Sequence, residues 1–375
     1  MNVLIAPDKF KGSLTASEVC NAIEQGLLQF DETLTIEKIP LADGGEGSLE
    51  IIEQHLDLQT VSLEVSDPLG RSIKASYRLS ETTAYIEMAA ASGLDLLKED
   101  ERNCLFTSSL GTGQLILDAY SRGITQIYLF VGGSATNDAG MGILNALGVR
   151  ALGNDQFLKP IGSSLLDLTG FDETKQRIHA TEISFTVVCD VKNLLFGPQG
   201  AAFVYAPQKG ADSRSVELLD QGLRNFAQVV LKQQGISVDN FEGAGAAGGV
   251  AAGIKAFFPA NIRSGIEAII EIVGLAEAVA AADLIITGEG KFDHQTLEGK
   301  VVHGVHHLCS RYQKRMAVIC GIVDLDAHQL ETLNIWKVSS LVRNDTTMEQ
   351  AIDNAFELVS RRAFELLEEI PSVRC

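Results

Sequence analysis

Apolar residues along this chain gather into short runs of strand length, most of them followed by a segment of helical spacing, and many runs end in a loop rich in glycine and charge. Val3 to Ala6 predicts a first strand. Behind it, Val19, Ile23, Leu27 and Phe30 recur at helical intervals after a capping box of Thr15 and Glu18. Leu34 to Ile39 predicts a second strand and Ser48 opens a second helix. The pattern then changes. Val61, Leu63 and Val65 alternate, Pro68-Leu-Gly70 makes a turn, and Ile73, Ala75 and Tyr77 alternate again, which predicts an antiparallel hairpin and a domain boundary near Asp67.

Further strands are predicted at Ala84–Met88, Ile127–Val131, Phe185–Cys189, Asp283–Thr287, Met316–Cys320 and Ile335–Leu341. An amphipathic helix from about Met348 to Leu367 closes the chain. Strand and helix in alternation predict an α/β protein with a parallel sheet.

Composition narrows the class. A chain of 375 residues suggests two domains, and 46% apolar content with 35 glycines and 8 prolines suits a glycine-rich α/β enzyme. The formal charge of −19 argues against nucleic acid or an anionic membrane as a partner, so an anionic substrate must be held by local donors. No apolar run is long enough to span a bilayer. Met1 to Ala6 runs straight into Asp8, Lys9 and Lys11, so no signal peptide is expected. Six scattered cysteines fit a reducing cytoplasm better than a disulfide framework or a zinc site.

The chemistry sits in the loops. Gly132-Gly-Ser-Ala-Thr-Asn-Asp138 lies between a strand and a helix start, where backbone amides can meet an anion. Ser134 and Thr136 add hydroxyls; Asn137 and Asp138 could hold a metal or cap the helix. Lys9, Lys11 and Ser13 make either a phosphate or carboxylate site or a solvated turn. Asp43 and Glu46 could bind Mg²⁺ or accept a proton. Asp190, at the tip of a strand, suits a metal ligand, a general base or an ordinary turn. Gly243-Ala-Gly-Ala-Ala-Gly248 matches a dinucleotide motif in letters, but no buried strand precedes it, so a close-packed loop is expected. His303, His306 and His307 invite a metal reading, two of them at one-face helical spacing, but surface imidazoles are expected. No Walker A or protein-kinase signature occurs.

Taken together, Ala6-Pro-Asp-Lys-Phe-Lys-Gly-Ser-Leu14, Ala42-Asp-Gly-Gly-Glu-Gly47, Ile86-Glu-Met-Ala-Ala-Ala-Ser-Gly-Leu94, the 132–138 loop, Cys189-Asp-Val-Lys-Asn193, Pro207-Gln-Lys-Gly-Ala211, Gly243 to Gly249 and Thr287-Gly-Glu-Gly-Lys-Phe-Asp293 resemble the type-1 glycerate kinase family. The blocks cover almost the whole chain in order. The resemblance implies ATP-dependent phosphorylation of D-glycerate, with the 2-hydroxyl favoured over the 3-hydroxyl as acceptor. It implies a flavodoxin-like α/β domain (1–66 and 283–375), an inserted mixed α/β domain (67–282), and an active site between them.

Phosphoryl transfer asks for positioning and charge neutralisation. The expected roles follow from that. Asp190 or Asp43 takes the hydroxyl proton; Glu289, Asp293 and Asp138 hold Mg²⁺. Lys9, Lys11, Ser13 and Lys209 carry phosphate or the glycerate carboxylate, together with Gly132, Gly133, Ser134, Thr136 and Asn137. The chain departs from the family at Lys9 (usually Ser), Leu194 (usually Pro), Lys291 (usually Arg) and His294 (usually Ser), which bears on substrate preference rather than reaction class. The alternatives are a non-catalytic sensor of a small acid and a nicotinamide-dependent oxidoreductase. A cytoplasmic setting is expected; the oligomeric state is left open, a homodimer being the commonest case.

Overall fold

The computed structural model describes residues 1–369 apart from positions 46, 155, 298 and 344, so Glu46 lies outside the described residues. In chain order the strands are β1 (Asn2–Ile5), β2 (Thr35–Lys38), β3 (Gln59–Ser66), β4 (Ser72–Leu79), β5 (Thr83–Glu87), β6 (Gln126–Phe130) and β7 (Arg150–Gly153). They continue with β8 (Gln156–Phe157), β9 (Gly170–Asp172), β10 (Ser184–Val188), β11 (Ala260–Arg263), β12 (Leu284–Phe292), β13 (Arg315–Val323) and β14 (Lys337–Ser340). Two compact units divide the chain: Met1–His55 with Ser264–Cys375, and Leu56–Arg263.

The first unit is built on a parallel sheet ordered β14-β13-β12-β1-β2. Val3 and Ile5 of β1 and Leu284 and Ile286 of β12 point to one side of it. There they pack with Val19, Ile23 and Leu27 of helix Ala16–Phe30 and with Val359 and Ala363 of helix Ala355–Glu368. Leu4 and Ile285 point the other way and are also fully buried, as a parallel sheet covered on both faces requires. The capping box of Thr15 and Glu18 forms as the sequence predicts.

The strand order carries the functional consequence. From β1 the chain moves outward to β2, and after the second unit it returns on the other side of β1 as β12. Helices leaving β1 and β12 therefore depart to opposite sides, and a crevice opens at the carboxyl ends of these two strands. That switch point is where open α/β sheets bind ligands.

The second unit holds a six-stranded sheet ordered β11-β10-β6-β5-β4-β3, in which β5, β6, β10 and β11 run parallel and β3 and β4 form the predicted hairpin. A small antiparallel sheet, β8-β7-β9, is added at one side. Its longest helix, Ser213–Gln234, is capped by the Asp212 side chain on Ser215 N–H and stopped by left-handed Gly235. Phe185, Phe226, Leu129 and Ile143 lie in its core.

The junctions fall earlier than expected. All of β3 pairs with β4, so the hairpin begins beyond 55/56, not 66/67. Helices Gly265–Ile272 and Leu275–Ala281 pack with helix Val301–Tyr312, so the return to the first unit comes at 263/264, not 282/283. The apolar turns of 264–281 belong to the parallel-sheet unit. Among the described residues no helix is long and apolar enough to cross a membrane.

Candidate active site

At the crevice of the first unit, backbone bonds hold the ends of β1 and β12 side by side: Ala6 N–H donates to Ile286 O and Asp8 N–H to Gly288 O, both at 2.8 Å. The Thr287 hydroxyl donates to Ala6 O at 2.7 Å. This brings Asp8 and Glu289 together. Both are nearly buried, at 9% and 5% exposure. Burial, then repulsion from Asp43, pushes the Asp8 carboxyl up to about 7, against the Lys9 amide, the Lys9 ammonium and Lys300. Burial also pushes Glu289 up to about 7; the Thr296 hydroxyl and Lys300 oppose it, while Asp8 and Asp293 add to it. Asp8, Asp43, Glu289, Asp293 and Lys300 thus share one electrostatic neighbourhood, and perturbed carboxyls in a crevice mark a candidate functional site.

The remaining groups of this unit are arranged around it. Asp43 is half-buried and accepts the Gly45 N–H at 3.1 Å. Lys9 Nζ lies beside Gly47, 4.0 Å from where a Cβ would stand. Lys11 is exposed on the tight turn closed by the Phe10–Leu14 bridge, and the Ser13 hydroxyl reaches Ile352 O at 3.4 Å. Asp293 caps the short helix His294–Leu297, accepting the Thr296 N–H, and pairs with Lys291 at 3.2 Å.

Whether Mg²⁺ suits this crevice turns on its donors. Glu289 Oε1 is buried with no hydrogen-bond partner. Among the described residues no group of three or more His, Cys, Asp or Glu gathers as a ready-made cage. Mg²⁺ commonly takes one or two carboxylates and completes its shell with water and substrate phosphates, so Glu289 with a neighbouring carboxylate fits the ion.

In the second unit the 132–138 loop follows β6. Gly132 and Gly133 are exposed at its rim; Ser134, Thr136, Asn137 and Asp138 are buried. Lys209 enters from below, its Nζ donating to Ser134 Oγ at 2.9 Å and to Thr136 O at 2.8 Å. Burial lowers the Lys209 ammonium to about 8, against the Cys104 thiol and the Asp138 carboxylate. Thr136 Oγ1 and both amide atoms of Asn137 are buried without hydrogen-bond partners.

Asp138 departs from the metal expectation. It accepts from Ser109 N–H and Oγ at 2.8 Å each, from Gly140 N–H at 3.0 Å and from Gly142 N–H at 3.1 Å. Oδ2 accepts three of these bonds and Oδ1 the one from Gly140, so the carboxylate is engaged by Ser109 and by the turn that opens helix Met141–Ala146. Burial raises its pKa while these bonds lower it.

The 243–248 glycine run backs this loop. No strand forms between helix Ser213–Gln234 and Ala246, so the dinucleotide context is missing. Gly248 is left-handed, and a Cβ there would stand 2.3 Å from Thr136 O; its carbonyl instead accepts the Ala139 N–H at 3.0 Å. Asp190 is exposed just past β10. A surface groove of about 460 Å³, lined by Ile236, Lys255, Phe257 and Phe258, lies at the amino end of β11, the wrong edge for a parallel-strand site. His306 bonds Leu333 O at 2.6 Å, consistent with a structural imidazole.

Asp8 is the residue that sequence reasoning did not single out. Its signals were its place just past a buried strand, within a run of charges, and its membership of the Ala6–Leu14 block. Lys300, at the start of helix Val301–Tyr312, was likewise passed over.

Comparison with known proteins bears on the family and the fold. The family model described as "Glycerate kinase family" matches residues 3–370. The chain is 43% identical to an uncharacterized protein of Synechocystis, covering 97% of each chain. It is 38% identical to the glycerate 2-kinase of Escherichia coli, covering 96% of each. A crystal structure presented as glycerate kinase 2 from Salmonella typhimurium LT2 superposes with a TM-score of 0.86 at 38% identity, covering 98% of this chain and 97% of the other. The chain belongs to the glycerate kinase family.

Proposed function

We propose that this protein transfers the γ-phosphoryl group of ATP to D-glycerate in a Mg²⁺-dependent reaction, giving 2-phosphoglycerate in preference to 3-phosphoglycerate. The observation that carries the reading is the pair of buried carboxyls, Asp8 and Glu289, facing a switch-point crevice edged by Lys9 and Lys300, in a chain of this family. The relative named glycerate 2-kinase supports the choice of hydroxyl.

Bound Mg²⁺ would neutralise charge on the phosphates, held by Glu289 and a neighbouring carboxylate. Lys9 and Lys11 attract the polyphosphate. The acceptor hydroxyl attacks phosphorus, its proton passes to Asp190 or Asp43, the bond to the β-phosphate oxygen breaks, and ADP leaves. Asn137 and Thr136 favour the hydroxy acid over the nucleotide as the ligand of the 132–138 loop. An amide offers a donor and an acceptor, and a hydroxyl satisfies both, whereas a phosphate offers acceptors and would leave Asn137 Oδ1 unpaired. Lys209 fixes the loop and lends positive charge beneath it.

The test is ADP release from Mg-ATP with D-glycerate, with L-glycerate and an acid-free blank as controls and the product identified by NMR. Release that depends on D-glycerate and a 2-phosphoglycerate spectrum are expected. Release no faster than the blank, with both ligands bound, would replace the kinase by a sensor of small acids.

A further inference from the structure

Three carboxylates stand out from the sequence as metal ligands, and the structure leaves one of them with a vacant oxygen. Asp138 already accepts four hydrogen bonds, three of them on Oδ2. Asp293 is engaged by Lys291 and by the cap on Thr296. Glu289 keeps Oε1 without a partner, in a side chain 95% removed from solvent, and such an atom costs free energy unless something binds it. Asp8 stands at the end of the adjacent strand, its Oδ1 taking the Lys9 N–H at 2.7 Å. Two like charges held together out of water are unfavourable, and Lys300, close to both, offsets one of them.

We propose that Asp8 and Glu289 together form a divalent-cation site that fills from solution before any nucleotide is bound. Hard carboxylate oxygens select Mg²⁺ or Mn²⁺, and a site of two carboxylates leaves the rest of the coordination shell to water and then to phosphate. The purpose of the ion rests on the kinase reading, but its binding does not.

The test uses Mn²⁺ alone with the full chain, free of nucleotide, followed by electron paramagnetic resonance and calorimetry. One Mn²⁺ per chain is expected, displaced by excess Mg²⁺. Asp8→Asn and Glu289→Gln should each weaken it by about tenfold or more, and Asp293→Asn should leave it largely intact. Melting in EDTA controls for folding: each of the first two variants, relieved of a buried like charge, should melt no lower than the wild type, yet should lose the rise in Tm that Mg²⁺ gives the wild type. Absence of stoichiometric Mn²⁺ on the wild type, or undiminished binding by Asp8→Asn, would overturn the site. A chain that binds Mn²⁺ through Asp8 but releases no ADP with D-glycerate would keep the site and overturn the kinase reading.

Discussion

Lys209 shows how a single buried charge leaves a measurable trace. Its ammonium is lowered to about 8 by burial, whereas in the unfolded chain it returns to the ordinary lysine value near 10.5. Between these values the unfolded state binds more protons than the folded one, so stability rises with pH across that window. Below pH 8 the charged folded form carries the full cost, up to about 3 kcal/mol. Denaturant titrations of wild type and Lys209→Met from pH 7.5 to 10.5 should show the wild type gaining relative to the variant as pH rises; parallel curves would place the ammonium in a solvated setting. Two further residues separate by turnover. Whichever of Asp190 and Asp43 takes the acceptor proton, its change to Asn should lower kcat by roughly 10²-fold or more with KM nearly unchanged. The other should act mainly through KM. Near-normal kcat in both variants would remove the proton-acceptor role from both.

Elements differ in how far the sequence reveals them, and the reason is where their stability comes from. β1, β6, β10 and β12 read clearly because a strand covered on both faces must be apolar throughout. β11, Ala260–Arg263, does not, since it is a half-exposed edge strand defined by its pairing with β10. The closing helix reads as one stripe but breaks at Asn354, whose non-helical backbone precedes Ala355–Glu368 without a side-chain capping bond. Helix Ser213–Gln234 carries Val216, Leu219, Leu223, Phe226 and Val230 at helical spacing, directly behind the Pro207–Ala211 block. Asp8 was obscured for a stronger reason: its partner strand arrives 281 residues later, and only the sheet order shows that the two carboxyls meet. The glycine-rich segment Ala246–Phe257, kinked by left-handed backbone at Ala247, Gly248 and Gly249 and helical beyond the kink, tests the packing argument. A Cβ at Gly253 would stand 2.0 Å from the Ala139 carbonyl oxygen, a backbone atom that cannot swing aside. Gly→Ala inside an exposed helix stabilises by up to about 1 kcal/mol. Here the sign should reverse: Gly253→Ala should lose roughly 1–3 kcal/mol in denaturant unfolding, and a gain would show that the loop at Ala139 yields freely.

At the scale of the whole molecule, chain order and fold are at odds, and this has consequences for what can fold alone. Residues 56–263 enclose their own core, from Val61 to Phe258, and the six-stranded sheet draws every strand from within that segment. The first unit is discontinuous: β1, its central strand, pairs with β2 on one side and with β12, beyond the whole second unit, on the other. A chain of residues 56–263 should therefore fold and unfold in one cooperative transition, because no strand lacks a partner and the apolar surface has somewhere to go. Residues 1–55 should remain largely unfolded, since Val3 and Ile5 would lose Leu284 and Ile286 and expose a strand edge. Circular dichroism and urea titration of the two fragments decide the matter. Cooperative folding of 1–55, or its failure in 56–263, would mean that the two cores are not the independent units that the strand pairing describes.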